Sequence, residues 1–219
     1  MLHRSPSPGA AGSELAHLLA CLADTVRAPS RSTFAERLGV WLGWPGAIAL
    51  SAALNASPTL PANGRWHHQG NAEADFQRVR AALQASIAAG ADEPASDPTD
   101  FGPHRRHCIT QQQAMQDAVA ALRRQMRQAL ARQSVQGARL AAIDAVLEQA
   151  LATQEQGLLG LVLLRLQAHF ERLQHTAAAD RPWHETFRDD RDRVLQAELA
   201  HRLLPAQGLL DALRNTRTT

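Results

Sequence analysis

Three residues close together in the chain have the side-chain types that bind zinc: His104, His107 and Cys108. Residues three or four apart share a helix face, so His104 can point the same way as either His107 or Cys108. Zinc accepts imidazole and thiolate ligands, but a structural site needs four of them. The other histidines are scattered along the chain. The sequence therefore predicts no metal site, and these three residues are expected at a helix start and on the surface.

Sequence motifs for catalysis are missing. The chain has no Gly-rich phosphate loop, no nucleophile elbow, no H-E-x-x-H and no C-x-x-C. Carboxylate pairs such as Asp189 and Asp190 stand among arginines, where ordinary ion pairing accounts for them. We therefore expect a protein that is not an enzyme and has no cofactor. A metal-dependent enzyme built on the His104 cluster is the remote alternative.

A basic stretch raises the hypothesis of nucleic-acid binding. Residues 103–139 carry seven Arg against Asp117 alone, a net charge of +6, and a positive helix face can follow a phosphate backbone. However, no aromatic residue is interleaved for base stacking, and Asp144 and Glu148 can neutralise the charge within the fold. A solvated or partner-facing surface is therefore preferred over nucleic-acid binding by the helix 104–132. The candidate surface residues are Arg123, Arg124, Arg127 and Arg132.

The elements that must position these residues are two long helices. An apolar stripe with steps of three or four residues runs through the first, formed by Met115, Val119, Leu122, Met126 and Leu130. A similar stripe follows the turn at Ser134–Gly137, so the segment 103–175 is predicted to be an antiparallel helical hairpin. Pro103 suits the first turn of the first helix, and Asp100 is placed to cap it.

The second helix of the hairpin contains Gly157 and Gly160. Each Gly costs about 1 kcal/mol relative to Ala inside a helix, so we expect a bend or the close approach of a neighbouring helix there. The run 158–166 is apolar almost all round, and other helices are expected to cover it. The tip near Gly137 has fewer apolar residues and is the expected place for an exposed partner surface.

Residues 12–56 are predicted to form a small N-terminal helical subdomain. The last of its three short helices begins at Pro45 and is expected to turn Ile48 and Leu54 inward. Large aromatic side chains dominate the packing of small cores, and a ligand or partner site is the alternative role for such residues here. The two aromatics expected to pack the helix junction are Trp41 and Trp44.

Composition sets the remaining boundaries. Residues 1–11 are rich in Pro, Ser and Gly and are expected to be disordered, and residues 57–70 are predicted to be a linker. The bundle proper is expected over 71–219. Its last long helix is predicted to end at Pro205, with the mixed-sign segment 188–193 on its solvated face.

Overall composition indicates a protein of the cytoplasm. The 219 residues suffice for one large domain or two small ones, and all 23 basic residues are Arg. Two cysteines form no disulfide framework and suit a reducing compartment. Neither a signal peptide nor a transmembrane segment is predicted.

The segment Phe34–Asn55 carries a recognisable pattern, Phe-Ala-Glu-Arg-Leu-x-x-Trp-Leu-x-Trp-x-x-Ala-Ile-x-Leu-Ser-x-Ala-Leu-Asn. It resembles the signature of a proteobacterial family of all-helical proteins known only as a domain of unknown function. Further matches at 112–115, 144–151 and 169–173 extend the resemblance over nearly the whole chain. The resemblance supplies no catalytic residue and no cofactor. Such families often stand beside genes for membrane-associated proteins with a peptidoglycan-binding domain and motor-stator-like partners, which implies a cytoplasmic accessory subunit.

Together these patterns predict an all-α protein, a helical bundle built on a long antiparallel hairpin with a small N-terminal helical subdomain. The predicted function is that of a non-enzymatic interaction or scaffold protein with a protein partner, accessory to a membrane-associated complex. Self-association through the exposed part of the hairpin is one form this can take. Nucleic-acid binding by the Arg-rich helix is the alternative.

Overall fold

The described part of the protein is entirely helical. A computed structural model describes residues 8–22, 34–55, 71–90, 99–176 and 183–215. Within those ranges there are six α-helices and no strand, which confirms the all-α fold class. The helices are α1 (Pro8–Leu22), α2 (Phe34–Asn55), α3 (Ala72–Ala89), α4 (Gly102–Gln133), α5 (Val135–Thr176) and α6 (Trp183–Asn215). No helix in these ranges is both long and apolar enough to cross a membrane.

The predicted hairpin is formed by α4 and α5, which are separated by Ser134 alone. Ser134 caps α5, because its Oγ accepts a hydrogen bond from the backbone N–H of Gly137 at 2.9 Å. Gly137 is required by a close approach: a Cβ there would lie 2.3 Å from the carbonyl oxygen of Leu130. At the other end, Asp100 accepts a hydrogen bond from the N–H of Gly102 at 2.7 Å, as expected of a cap.

The apolar stripe predicted along α4 lies in the core. Its five members are all buried: Met115, Val119, Leu122, Met126 and Leu130. Asp144 of α5 pairs with Arg123 of α4, which fixes α5 antiparallel to α4. The hairpin is therefore held by apolar burial along one face of α4 together with ion pairs near its turn.

Two compact units make up the chain, and they are not consecutive in sequence. The first comprises 1–28, 79–118 and 159–204, and the second comprises 29–78, 119–158 and 205–219. The predicted subdomain 12–56 does not coincide with either unit, since α1 belongs to the first and α2 to the second. Helices α3, α4, α5 and α6 each contribute a segment to both units.

The core of the first unit combines aliphatic side chains with an aromatic cluster. Phe170 stands at its centre, with ring centroids 5.0 Å from Phe187, 5.1 Å from Trp183 and 5.4 Å from Phe101. Tilted and edge-on arrangements of this kind are favourable beyond simple burial. Aliphatic side chains complete the core, among them Leu83, Ile87, Met115, Val162, Leu166, Leu195 and Leu199.

The second unit has its own set of buried apolar side chains. Phe76 of α3 is buried there together with Leu122, Met126 and Leu130 of α4. The C-terminal turns of α6 supply further buried apolar residues: Ala206, Leu209, Leu210 and Leu213.

Helix α6 continues through Pro205, where the sequence predicted an end. Proline removes one backbone hydrogen bond, and Pro205 itself is exposed. Buried apolar residues on both sides, Leu203 and Ala206, keep the helix in place. Helix α1 also differs from prediction, since it begins at Pro8 inside the segment expected to be disordered; proline suits a first turn.

The two glycines within α5 have no packing role in the structure. A Cβ added at Gly157 or Gly160 would meet no atom within 4 Å, so the expected close approach of a neighbouring helix is wrong. Helix α5 is also assigned as one continuous helix through both residues. The predicted linker 57–70 lies outside the described residues.

Candidate functional site

The basic arm of α4 is partly neutralised inside the second unit. Arg123 Nη2 lies 2.8 Å from Asp144 Oδ1, and Arg127 Nη1 lies 2.7 Å from Asp144 Oδ2. Glu148 completes the group, at 3.3 Å from Arg123 and 2.7 Å from Arg127. Burial alone lowers the pKa of Arg127, but its hydrogen bonds with Asp144 and Glu148 outweigh burial and raise that pKa above its ordinary value. These two arginines serve an internal ion-pair quartet.

The other two candidate arginines are exposed. Arg124 and Arg132 point away from the quartet and lie on the surface of the second unit. The four predicted residues therefore divide into a pair that faces α5 and forms ion pairs, Arg123 and Arg127, and an exposed pair. The order of charges along the sequence already indicates this pairing, since Asp144 and Glu148 stand about one turn apart on α5.

The His104 cluster is an interior feature of the first unit. His104 is buried, and its Nδ1 lies 3.0 Å from Nη1 of Arg191 on α6. Arg191 is 2% exposed and also donates to Asp192 at 2.8 Å and to the carbonyl of Gly90 at 3.4 Å. The expected surface position of His104 is therefore wrong, because Phe170 and Phe187 cover its ring at 5.7 and 5.0 Å between centroids.

Arg191 determines the tautomer of the His104 ring and helps to lower its pKa. A guanidinium can only donate hydrogen bonds, so Nδ1 of His104 must accept and the neutral ring carries its proton on Nε2. Burial, followed by the nearby charges of Arg191 and Arg188, lowers the pKa of His104 from 6.5 to about 4. Nδ1 is therefore already engaged and is not placed to bind a metal.

Cys108 is buried beside this cluster and is chemically quiet. Burial raises the pKa of its thiol to about 12, so the reactive thiolate is scarce at neutral pH. His107 is half-buried and its ring occupies the space beside Gly90, where an added Cβ would clash with it. The structure thus brings His104 and Cys108 into one interior region without making them ligands of a common ion.

A second histidine of the first unit is held in the same way. His169 Nε2 lies 2.9 Å from Asp190 Oδ2, and Nδ1 accepts a hydrogen bond from Arg172 at 2.9 Å. Arg172 also donates to the backbone carbonyl of Leu22 at 2.9 Å, which ties α5 to the end of α1. Both ring nitrogens are therefore occupied, and this group serves to join helices.

Glu198 forms the most deeply buried carboxylate contact of the first unit. Its side chain is fully buried and accepts hydrogen bonds from Arg202 at 2.9 Å and from Gln112 at 3.0 Å. Gln112 also donates to the carbonyl of Leu159 at 3.4 Å. The charge of Glu198 is thus compensated locally, and α4, α5 and α6 are joined through polar groups.

Sequence reasoning missed the inward position of Arg191. The segment 188–193 was expected to be solvated, and Arg191 corrects this, because it follows Phe187 by four residues and precedes Leu195 by four. That spacing places Arg191 on the apolar stripe of α6. The helical spacing therefore already indicated a buried position for Arg191, although the charge of its side chain favoured an exposed one.

The described residues show no metal-ligand cluster. They include no group of three or more His, Cys, Asp or Glu able to hold a metal ion. The larger groove of the first unit is open and polar, with carboxylates from Glu14, Asp189 and Asp192 beside Arg193. The lining of this groove is therefore mixed in charge and open to solvent.

The most unusual surface belongs to α2 in the second unit. Gly43 has φ 57° and ψ −175°, a conformation that suits glycine, and it divides the helix where the sequence predicted a break. Beyond this kink, Trp44 is 83% exposed and Ile48 is 62% exposed, with Leu54 also exposed. The inward orientation expected for Ile48 and Leu54 is therefore wrong.

Small residues make the intramolecular contacts of this part of α2. Gly46 and Ala53 are buried, and a Cβ at Gly46 would lie 3.3 Å from Cβ of Ala150 on α5. A large side chain on that face would hold α2 away from α5, so the larger apolar side chains point outward. Trp44 consequently contributes little to packing, and the side chain of Trp41 lies outside the described residues.

Comparisons with known proteins identify a family. No curated protein and no solved structure matches the chain. A family model described as "Protein of unknown function (DUF3348)" matches residues 1–215. The match extends over both compact units, and the chain therefore belongs to the DUF3348 family.

Proposed function

We propose that this protein is a non-enzymatic interaction module, and that α2 carries its binding surface. The supporting observation is the outward orientation of the large apolar side chains beyond Gly43, Trp44 and Ile48 above all. Monomeric proteins rarely expose contiguous apolar patches larger than a few hundred Å², and patches of that kind commonly mark binding sites. Exposed Trp is also a frequent anchor of protein interfaces.

The interior polar groups support a binding role over a catalytic one. His104, His169 and Glu198 each form a hydrogen bond with a side chain of the same unit. A catalytic group needs a side chain that reaches a substrate in a pocket. These groups instead stabilise the scaffold on which α2 is carried.

The place of this module is proposed to be the cytoplasm, as an accessory subunit of a membrane-associated complex. The support is the reducing-compartment character of two free cysteines and the gene neighbourhoods implied by the family resemblance. A cell fractionation in which the tagged protein enters the membrane pellet only when its partner is present supports this placement. Recovery from a secreted or periplasmic fraction would contradict it.

Nucleic-acid binding by α4 is the alternative, and it has weaker support. Arg123 and Arg127 already pair with carboxylates, which leaves Arg124 and Arg132 as the exposed candidates among the four. This alternative predicts salt-sensitive binding to DNA or RNA that is lost in Arg124→Ala/Arg132→Ala. Absence of binding at low salt would dispose of it.

Site-specific photo-crosslinking tests the proposed binding surface. A benzoylphenylalanine introduced at position 44 should yield covalent protein adducts in cells, because that position is exposed on α2. The matched control carries the same group at Ala82, an exposed position on α3. Equal adduct patterns from the two positions, or no adduct from position 44, would contradict the proposed function.

A further inference from the structure

The segment of α2 from Trp44 to Asn55 has a surface whose chemistry narrows the choice of partner. At 100° per residue, Trp44, Ile48, Ser51 and Asn55 fall on one face, with Ala47 beside them. All five are exposed. The face therefore combines two large apolar side chains near its start with small residues toward its end.

The two polar residues of this face are joined by a hydrogen bond within the helix. Asn55 Nδ2 donates to the backbone carbonyl of Ser51 at 2.9 Å and approaches Ser51 Oγ at 3.4 Å. A buried polar group is costly chiefly when its hydrogen bonds are unmade. The Nδ2 donor of Asn55 is thus engaged within the helix, and Asn55 Oδ1 remains an acceptor for a donor on the partner surface.

The segment also carries no charged residue between positions 44 and 55. Helices that lie in a membrane interface carry Lys or Arg on their polar face, which this segment lacks. In a two-fold interface, residues near the axis meet their own copies, so an uncharged face is compatible with itself. Charge therefore favours a second copy of the same surface over a lipid surface.

Resting on the proposed interaction function, we propose that the partner is a second copy of this chain, docked antiparallel along α2. A two-fold axis between positions 49 and 50 sets Trp44 opposite Asn55 of the other copy. The same axis sets Ile48 opposite Ser51 and Ala47 opposite Ala52. Each large side chain thereby meets a small one, which is the condition for close packing of two helices.

The expected dimer is reversible. A stable interface buries roughly 800 Å² per partner, whereas a buried Trp contributes on the order of 200 Å². One short helix face supplies less than the standard area, so the oligomeric state should depend on protein concentration. Val40, exposed on the other side of the kink, adds to the apolar surface of the same unit.

Sedimentation of the full-length protein over a wide concentration range tests the proposal. The weight-average mass should rise from one chain of 23.8 kDa toward two. Ile48→Glu or Ser51→Arg alone should weaken association at least tenfold, because each places an unpaired charge opposite an apolar or small residue. Mixing the two variants should restore a heterodimer, since Glu at 48 then faces Arg at 51.

The matched control is Leu164→Glu, which charges an exposed apolar position on α5 in the first unit. It should leave dimerisation unchanged. All substituted positions are exposed, and equal circular dichroism and thermal melting across the variants would confirm that folding is intact. Loss of dimerisation in Leu164→Glu but not in Ile48→Glu would overturn the assignment to α2.

Failure of this proposal can be told apart from failure of the proposed function. A strictly monomeric protein whose position-44 crosslinks have masses other than that of two chains has a different protein partner, which overturns the self-association and keeps the interaction function. A monomeric protein that yields no crosslink overturns both. A monomer that floats with zwitterionic phospholipid vesicles only when Trp44 is intact overturns the second-copy proposal in favour of a lipid surface.

Discussion

Arg191 Nη1 lies 3.0 Å from Nδ1 of His104, and both side chains are buried in the first unit. The contact joins α6 to α4 and places a permanent donor against an imidazole nitrogen. Protonation of His104 would replace this hydrogen bond with a repulsion between two cations. The pair therefore makes the stability of the protein depend on pH.

Stability should decline between pH 6.5 and about 4 because of His104. Its folded-state pKa is about 4 against an ordinary value of 6.5, so the unfolded chain binds a proton that the folded chain refuses in that window. The contribution is complete above pH 6.5, is lost as the pH falls, and amounts to about 3 kcal/mol. Urea denaturation across this range measures it.

The matched variants for this test are His104→Gln and Arg105→Gln. The former removes the titrating ring and should lower the slope of stability against pH. The latter changes an exposed guanidinium that stays charged throughout, and it should retain the parent slope. A His104→Gln slope equal to that of the parent would refute the assignment, as would an NMR spectrum with the proton on Nδ1.

Removing Asp144 should destabilise the second unit by about 3 kcal/mol, because it leaves Arg123 and Arg127 to share Glu148. Asp144→Asn keeps the shape and tests the charge. The control is Asp117→Asn on α4, an exposed carboxylate, with an expected change within about 0.5 kcal/mol. Chemical denaturation gives both values, and equal midpoints for the two variants would contradict the internal quartet.

Glycine substitutions should have opposite effects at the turn and within α5. Gly157→Ala and Gly160→Ala should each stabilise the protein by about 1 kcal/mol, because the added methyl meets open space. Gly137→Ala should destabilise it, because the methyl would lie 2.3 Å from the Leu130 carbonyl oxygen. Thermal melting of the three variants decides the matter, and a stabilising Gly137→Ala would be incompatible with the observed turn.

Thiol titration of the native protein should detect one reactive cysteine. Cys21 is exposed, whereas Cys108 is buried and the pKa of its thiol is raised to about 12. Cys21→Ser should therefore react with Ellman's reagent only after denaturation, and Cys108→Ser should react like the parent. Rapid modification of native Cys21→Ser would show that Cys108 is accessible.

The hairpin is the part of the fold that sequence reasoning predicts well. The spacing of Met115, Val119 and Leu122 repeats with the helical period, and Gly137 marks the turn by composition alone. Local sequence patterns are enough to predict the hairpin, because α4 and α5 are adjacent in sequence. The spacing of apolar residues by three or four positions determines which face of each helix is buried. Asp100 likewise follows from the ordinary rules of helix capping.

Predictions of burial from charge and side-chain size were wrong at positions whose orientation depends on tertiary contacts. Arg191 is charged but occupies a core position, because His104 and the Gly90 carbonyl satisfy it from distant parts of the chain. Ile48 is apolar but faces outward, because Gly46 must approach α5 closely. Neither partner can be identified from residue type or period, since each contact joins segments far apart in sequence.

The sharing of α3, α4, α5 and α6 between the two units has a consequence for the inheritance of this protein. No single cut in the chain separates one unit from the other, so neither can be duplicated, exchanged or fused elsewhere as a contiguous cassette. A recombination event that preserves either core would have to transfer all of its separate stretches together. Laboratory truncations face the same constraint: a fragment that keeps one core intact must reproduce pieces of at least three separate stretches of sequence.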